Sequence, residues 1–326
     1  MRALLMSAPN VQTVVAERPE PAPGPGQVAI DVAYAGINFL DVMARRGDRG
    51  YVPAWPFVPG LEVAGTIRAV GPEVTGLAVG GRVAAFTRGG GGLATVAVAD
   101  AELVIPVPDE VSLAVASSAP LMLSTALLLL TDVARLRAGE SVLMHSAGGG
   151  VGGAVAQLVG ILGGGLRLGT VGRPDKIAAA ERAGWDVVLP RDDDLAAAVR
   201  QAAGGGVDVV LDASGTQLLE VDLAIAAPGA RIVLFGNAGG GAPEPLPQLG
   251  RLIGGNVALA GFSISGLPAA APARVAAALV EVLRLLASGQ LQAPVTEVEG
   301  LDAVPAIHDL LAAGRGSGKY VVSVGG

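Results

Sequence analysis

Between Ser141 and Val159 an apolar run, Val142-Leu143-Met144, enters a cluster of glycines and leaves it as an alanine-rich stretch of helical character. Gly148, Gly150 and Gly153 stand at the spacing G-x-G-x-x-G, in the context strand, tight turn, helix. Glycines let the backbone turn sharply and remove the Cβ that would keep a diphosphate away from the main chain. The helix that follows offers unpaired N–H groups and a partial positive charge at its start. The chemistry this suits is the holding of a nucleotide. With 49 glycines in 326 residues the spacing alone carries little. Gly89-Gly90-Gly91-Gly92 and Gly163-Gly164-Gly165 are further clusters, but neither has a strand before it and an uninterrupted helix after it.

The composition narrows the classes of function. Hydrophobic residues make up 51% and charged residues 16%, so core material is ample, and with 3% aromatics that core is aliphatic. Net charge is -7 and no Lys/Arg-rich block occurs, which argues against nucleic acid. There is no cysteine, hence no disulfide and no thiolate metal site, and two histidines, His145 and His308, cannot build a histidine cage. The apolar part of the N-terminus is short for a signal peptide, and the run Leu121 to Leu130 is short for a membrane span. The expectation is a cytoplasmic protein with no membrane partner.

The elements that must position the turn follow from periodicity. Residues 28–35, 61–70, 81–86 and 93–98 read as short strands separated by Pro/Gly turns, a small barrel-like β-domain. From 116 the pattern changes to a long helix over 116–133. Strands at 141–146, 166–171, 187–189, 207–212 and 231–235 then alternate with helices at 151–162, 175–183, 195–203 and 216–226. That alternation predicts a doubly wound parallel sheet. Residues 253–262 read as an apolar strand, 272–288 and 302–313 as helices, and 319–324 as a last strand. The expected domains are 1–118 completed by 264–326, and 119–263.

Four stretches together name a family: Ala35-Gly36-Ile37-Asn38-Phe39-Leu40-Asp41-Val42-Met43, Val58-Pro59-Gly60-Leu61-Glu62-Val63-Ala64-Gly65, His145 to Gly152, and Gly318-Lys319-Tyr320-Val321-Val322. Over essentially its whole length the chain resembles the medium-chain dehydrogenase/reductase superfamily, most of all its zinc-independent NADPH:quinone oxidoreductases and enoyl reductases. The resemblance implies α/β architecture, with a GroES-like β-rich catalytic domain and a Rossmann nucleotide-binding domain. It also implies a homodimer joined edge to edge through 253–262. Zinc alcohol dehydrogenases of the superfamily carry Cys-His where this chain has Asn38-Phe39, and Gly-His-Glu where it has Gly60-Leu61-Glu62. Leu61 cannot ligate a metal, so no metal is expected. Without a metal to polarise a C–O bond, the suited reaction is hydride addition to an acceptor that is already activated.

The resemblance also distributes roles. Gly149, Gly150, Val151 and Gly152 hold the diphosphate. Gly172, Arg173 and Lys176 follow the next strand, where an NAD enzyme usually has an acid; Arg173 and Lys176 suit a 2′-phosphate, whereas Asp175 would repel it or take a ribose hydroxyl. A family tyrosine falls at Pro190, beside Arg191. NADPH is the expected cofactor. Thr125, Ser214, Gly236, Asn237 and Phe262 line the nicotinamide and its ribose, and Lys319 lies near the phosphates or at the surface. Asn38, catalytic with Thr125, either donates to a carbonyl oxygen that gains charge or stabilises its turn; Asp41 caps the next helix or orders the loop, in support of the site rather than in contact with substrate. Phe39, Met43, Tyr51, Trp55, Leu127 and Leu128 line an apolar substrate pocket. His145 reads as structural, and His308 as exposed and without a role. The leading expectation is an NADPH-dependent reductase of a quinone or an apolar conjugated carbonyl. A pathway enoyl reductase or reductive cyclase acting on a large natural-product intermediate is the second, and a non-enzymatic NADPH-binding protein the third.

Overall fold

The structure, a computed structural model, describes residues 1–324 except residue 193. The chain divides into two compact units, Met1–Ser124 with Ile264–Gly326, and Thr125–Ser263. One border falls at Ser124/Thr125, inside the stretch expected to be a single helix.

In the unit Thr125–Ser263, six strands form one parallel sheet. Their spatial order is Val187–Pro190, Arg167–Val171, Val142–His145, Val207–Asp212, Ala226–Leu234, Ala258–Gly261. Numbered along the chain this is 3-2-1-4-5-6, the doubly wound order, with its switch point between Val142–His145 and Val207–Asp212. The strands Val142–His145 and Val207–Asp212 at its centre are rich in Val and Leu because helices cover both faces of such a sheet. After His145 the chain turns at Ser146, which takes a left-handed φ of 64°, and helix Gly150–Ile161 starts from Gly149. Gly152 is the glycine this turn cannot replace, since a Cβ there would lie 2.4 Å from the carbonyl oxygen of Ala147. A Cβ on Gly153 would meet only the Ala183 side chain, at 3.6 Å.

The other unit is built on the long strand Gln27–Ile37. One edge pairs with Glu62–Val70, while the other is shared by Val96–Asp100 and the C-terminal strand Lys319–Ser323. Arg82–Phe86, Val104–Pro106 and Val295–Glu299 complete the sheet. Val28, Ile30, Val63, Val83, Ala97 and Val322 meet in its core, the inward half of each alternating pattern.

Two expected elements differ. Residues 116–133 are not one α-helix: Ala119–Leu123 and Leu129–Val133 are wound as wide π turns around α-helical Ser124–Leu128. Pro120 has no N–H to give. The next two N–H groups, of Leu121 and Met122, donate to the Glu62 carboxylate at 2.8 and 3.3 Å, so the ordinary ladder is interrupted there. Residues 253–262 are also not one strand. Helix Leu249–Gly255 ends at Asn256 in a left-handed cap, and only Ala258–Gly261 is extended.

Gly152→Ala is expected to lower unfolding stability by about 1–3 kcal/mol, the usual cost of overpacking. Gly153→Ala is expected to raise it by about 0.5–1 kcal/mol, as Gly→Ala does inside a helix. Urea denaturation of the two variants checks this; shifts of the same sign would contradict the packing described.

Candidate active site

Three stretches far apart in sequence meet in the unit Met1–Ser124 with Ile264–Gly326, around a buried ammonium. Lys319 is 4% exposed and Glu62 fully buried. Lys319 Nζ donates to Glu62 Oε1, to Asn38 Oδ1 at 2.7 Å and to the Ile37 carbonyl at 3.1 Å. Those are the three donors an ammonium has. Asn38 Nδ2 donates to Glu62 Oε1 at 2.9 Å and to the Gly36 carbonyl at 3.2 Å. The charges fix the orientation of this amide, because a flip would point its NH₂ at Lys319 and its oxygen at Glu62. Glu62 Oε2 faces the other way and takes the N–H groups of Leu121 and Met122. A buried ion pair is tolerable only when satisfied in this way.

The same loop carries Asp41, third residue of helix Phe39–Arg46. Its carboxylate accepts from the Asn38 N–H at 2.8 Å and the Gly60 N–H at 3.2 Å. It is 2% exposed. Burial pushes the carboxyl up to about 6; the Asn38 N–H, the Lys319 ammonium and the Gly60 N–H oppose the rise, and Glu62 adds to it. His308 Nε2 lies 3.9 Å from Asp41 Oδ2, and neither ring nitrogen has a hydrogen-bond partner. Burial draws this imidazole down to about 4, with Arg45 adding and Asp309 opposing. Both groups are therefore predominantly neutral between pH 4 and 6. Asp41 also lines a cavity of about 240 Å³, with Leu40, Tyr51, Phe57 and Leu61 among its other walls.

In the unit Thr125–Ser263 the glycine turn has its own surroundings. The N–H groups of Gly150, Val151 and Gly152 start the helix, where no intrahelical acceptor exists for them. The Lys176 stem passes over the turn, its Cβ 3.6 Å from where a Gly148 Cβ would be. Arg191 passes Gly172 so closely that a Cβ there would lie 2.6 Å from Nη2, and its Nη1 donates to Ser214 Oγ at 3.1 Å. Burial pulls Lys176 below its usual value; Asp175 opposes this, and the neighbouring Arg173 and Arg191 guanidinium groups add to it. Asp175 pairs with Arg173 at 3.1 Å, and Asp212 is the carboxylate near Arg191. Gly215 and Gly236, at the ends of the next two strands, are close approaches: a Cβ would lie 2.6 Å from Asn237 Oδ1 and 2.7 Å from the Ala213 carbonyl. Thr125 is 3% exposed and its Oγ1 has no partner, an orphaned polar atom of the kind a ligand satisfies. Phe262 is half-buried, its N–H on the Leu234 carbonyl at 2.9 Å.

Several expected roles change. Both N–H bonds of the Asn38 amide are committed within the protein, so none is left for a substrate oxygen; Asn38 is a member of the charge cluster. Lys319 is neither at the surface nor available to a phosphate, because its three donors are taken. Of the residues expected to line a substrate pocket, Tyr51 is at the cavity wall. Met43, Leu127 and Leu128 are buried, Trp55 backs the Met6, Ala44 and Phe57 cluster, and Phe39 is not among the cavity's lining residues. His308 is fully buried, and Leu301, Val304 and His308 form one buried stripe at helical spacing that could have signalled it. His145 is structural, its ring held between Thr170 Oγ1 at 2.7 Å and Asp222 Oδ1 at 2.8 Å.

A 3-2-1-4-5-6 sheet with a glycine turn at its first strand defines a dinucleotide-binding fold, here joined to a β-rich unit in one chain. The family model described as alcohol dehydrogenase GroES-like domain matches residues 24–109, and that described as zinc-binding dehydrogenase matches residues 150–282. The chain belongs to the medium-chain dehydrogenase/reductase family. It is 36% identical over 322 residues to the spectinabilin polyketide synthase system protein NorB of Streptomyces orinoci, covering 95% of this chain and 14% of that protein. The chain spans about half or less of the length of the curated relatives it matches first. Mycobacterial Rv1454c complexed with NADPH has a TM-score of 0.90 and 32% identity, with 99% of both chains covered. Escherichia coli quinone oxidoreductase complexed with NADPH has a TM-score of 0.89 and 25% identity, covering 99% of this chain and all of that one. Among the described residues no group of three or more His, Cys, Asp or Glu side chains is placed to hold a metal, and no helix is long and apolar enough to cross a membrane.

Lys319→Met leaves the Glu62 carboxylate buried and unpaired and is expected to cost about 3–5 kcal/mol; adding Glu62→Gln should recover part of that loss in thermal denaturation. Asp41 and His308 make opposed contributions to pH dependence. The folded chain keeps the Asp41 proton that the unfolded chain releases, so this contribution is lost as pH rises from about 4 to 6. The folded chain lacks the His308 proton that the unfolded chain holds, so this contribution is lost as pH falls over the same range. Relative to the wild type, His308→Leu should make the slope of stability against pH more negative, by up to about 1.4 kcal/mol per pH unit, and Asp41→Asn should make it more positive. Changes of slope of equal sign in urea titrations would contradict the pairing.

Proposed function

We propose that the chain is an NADPH-dependent reductase that adds hydride to a conjugated acceptor, a quinone or an α,β-unsaturated carbonyl. The observation that carries this reading is the cluster of Arg173, Lys176 and Arg191 around Gly172, beside the glycine turn. A 2′-phosphate is the group such a cluster suits, since its charge relieves the repulsion among the three cations. Asp175, paired with Arg173, is then part of the cluster's framework. The N–H groups of Gly150, Val151 and Gly152 would hold the diphosphate. Ser214, Gly236, Asn237 and Phe262 would line the nicotinamide ribose and carboxamide, and Thr125 Oγ1 would gain the partner it lacks. The nicotinamide supplies the hydride when bound. The protein supplies an acceptor site of mostly apolar walls, Leu40, Phe57, Leu61 and Tyr51, in a cavity of about 240 Å³. The NADPH complexes of Rv1454c and the Escherichia coli quinone oxidoreductase support the reading.

A second reading is a pathway enoyl reductase acting on a polyketide-like intermediate, favoured by the similarity to NorB. A homodimer fits the outer edge of Ala258–Gly261, the last strand of its sheet, and the exposed Leu249 and Ile253 nearby.

Purified protein is expected to oxidise NADPH with single-ring quinones and short enones, and not with long polyenes; the reverse pattern would decide for the second reading. In calorimetry, Arg191→Ala and Lys176→Ala should each weaken NADPH binding about tenfold or more and leave NADH binding nearly unchanged. Equal losses for both dinucleotides would remove the 2′-phosphate assignment.

A further inference from the structure

Hydride addition to a conjugated acceptor is half of a reduction, since the carbonyl side is left with an electron pair that must take a proton. Among the residues lining the cavity, Asp41 and Tyr51 carry a titratable side chain. Asp41 sits deep, on the first turn of helix Phe39–Arg46, with Leu40, Ala44, Phe57 and Leu61 beside it along the wall. Each of its oxygens accepts one backbone N–H, from Asn38 and from Gly60, and a carboxyl oxygen has a second lone pair. A proton can therefore reside on Asp41 without displacing either bond.

We propose that Asp41 is the proton donor of the reaction, delivering its carboxyl proton to the substrate from the cavity wall. This rests on the reductase reading above. With an enone, hydride forms a C–H bond at the β-carbon and the π pair moves onto the enolate. The Asp41 O–H bond then breaks, its proton forms the new C–H bond at the α-carbon, and Asp41 is left as a carboxylate that water re-protonates once product has gone. With a quinone the proton goes to the phenolate oxygen.

The charged and titratable groups facing Asp41 are consistent with that cycle. Lys319, on the C-terminal strand, and the two N–H donors stabilise the carboxylate that the step leaves behind, and Glu62, on its own strand, opposes them. His308, on helix Val304–Ala312, faces Asp41 as a neutral ring with Arg45 and Asp309 behind it. The net result is a carboxyl that titrates near 6, close to working pH, which is where a general acid is most effective. Tyr51, by contrast, is held above its usual value by burial, with Asp48 adding and Arg46 opposing.

Two readouts test this. Carbon-13 NMR of the cofactor-free protein should show a carboxyl titrating at about 6 that is absent in Asp41→Asn, beside that of Asp212, which burial also pushes up to about 6 and which remains. Reduction of an α-substituted enone should give a single α-epimer with the wild type and with Tyr51→Phe. Asp41→Asn should give a mixture of epimers, as water protonates from both faces, at a rate about 100-fold lower or less. A purely structural role would slow turnover without scrambling the α-carbon. An Asp41 carboxyl titrating in the ordinary range, a single unchanged epimer from folded Asp41→Asn, or scrambling by Tyr51→Phe would each overturn the proposal while the reductase reading stands. No turnover of any acceptor by the wild type would sink both.

Discussion

The structure of the β-rich unit depends on a buried ammonium held against a buried carboxylate. Lys319 and Glu62 are almost fully removed from water, and each would be very costly there alone. Together they join the end of strand Gln27–Ile37, the start of Glu62–Val70, the C-terminal strand and the turn at Leu121 and Met122. Every donor and acceptor in the group is matched, and this is why Asn38 cannot also serve a substrate. The cluster sets the loop, and the loop sets Asp41: the N–H of Asn38 is at once the backbone of a cluster residue and a donor to the Asp41 carboxylate.

The nucleotide-binding unit follows a different constraint, close backbone approach. Gly152, Gly215 and Gly236 stand where a Cβ would meet backbone or a neighbouring side chain at 2.4 to 2.7 Å, Gly152 in the first turn of helix Gly150–Ile161 and the other two just past the carboxyl ends of strands. Cations fill the adjacent space. Arg191 passes Gly172 and reaches Ser214, so two loops at that end of the sheet are tied by a guanidinium rather than by an acid that would select a ribose hydroxyl.

The parallel sheet was legible because short, mostly aliphatic stretches such as Val209-Val210-Leu211 and Ile232-Val233-Leu234 alternate with helices that have their own period. The glycine turn was legible from its flanks, although Gly152, outside the matched G-x-G-x-x-G positions, proves to be the sterically essential residue. The break in 116–133 was not legible, because the Leu121 and Met122 N–H groups donate to the Glu62 carboxylate, far away in sequence. Lys319 reads as a terminal surface lysine until strand Lys319–Ser323 is placed against Gln27–Ile37, which buries it. His308 reads as exposed from its residue type, but its place on a buried 301/304/308 stripe outweighs its polarity. Phe57 and Leu61, which line the cavity, come from a loop whose path no periodicity encodes.

The central claim is that this fold takes hydride from a reduced dinucleotide phosphate and places it on a conjugated carbon. The direct measurement is product analysis after turnover with NADPH deuterated at C4, each of the two stereospecifically labelled forms used in turn with an enone acceptor. One form should transfer one deuteron per turnover to the β-carbon of the product and the other none. An oxidised dinucleotide accompanied by unlabelled product from both forms, or no oxidation at all, would contradict the account.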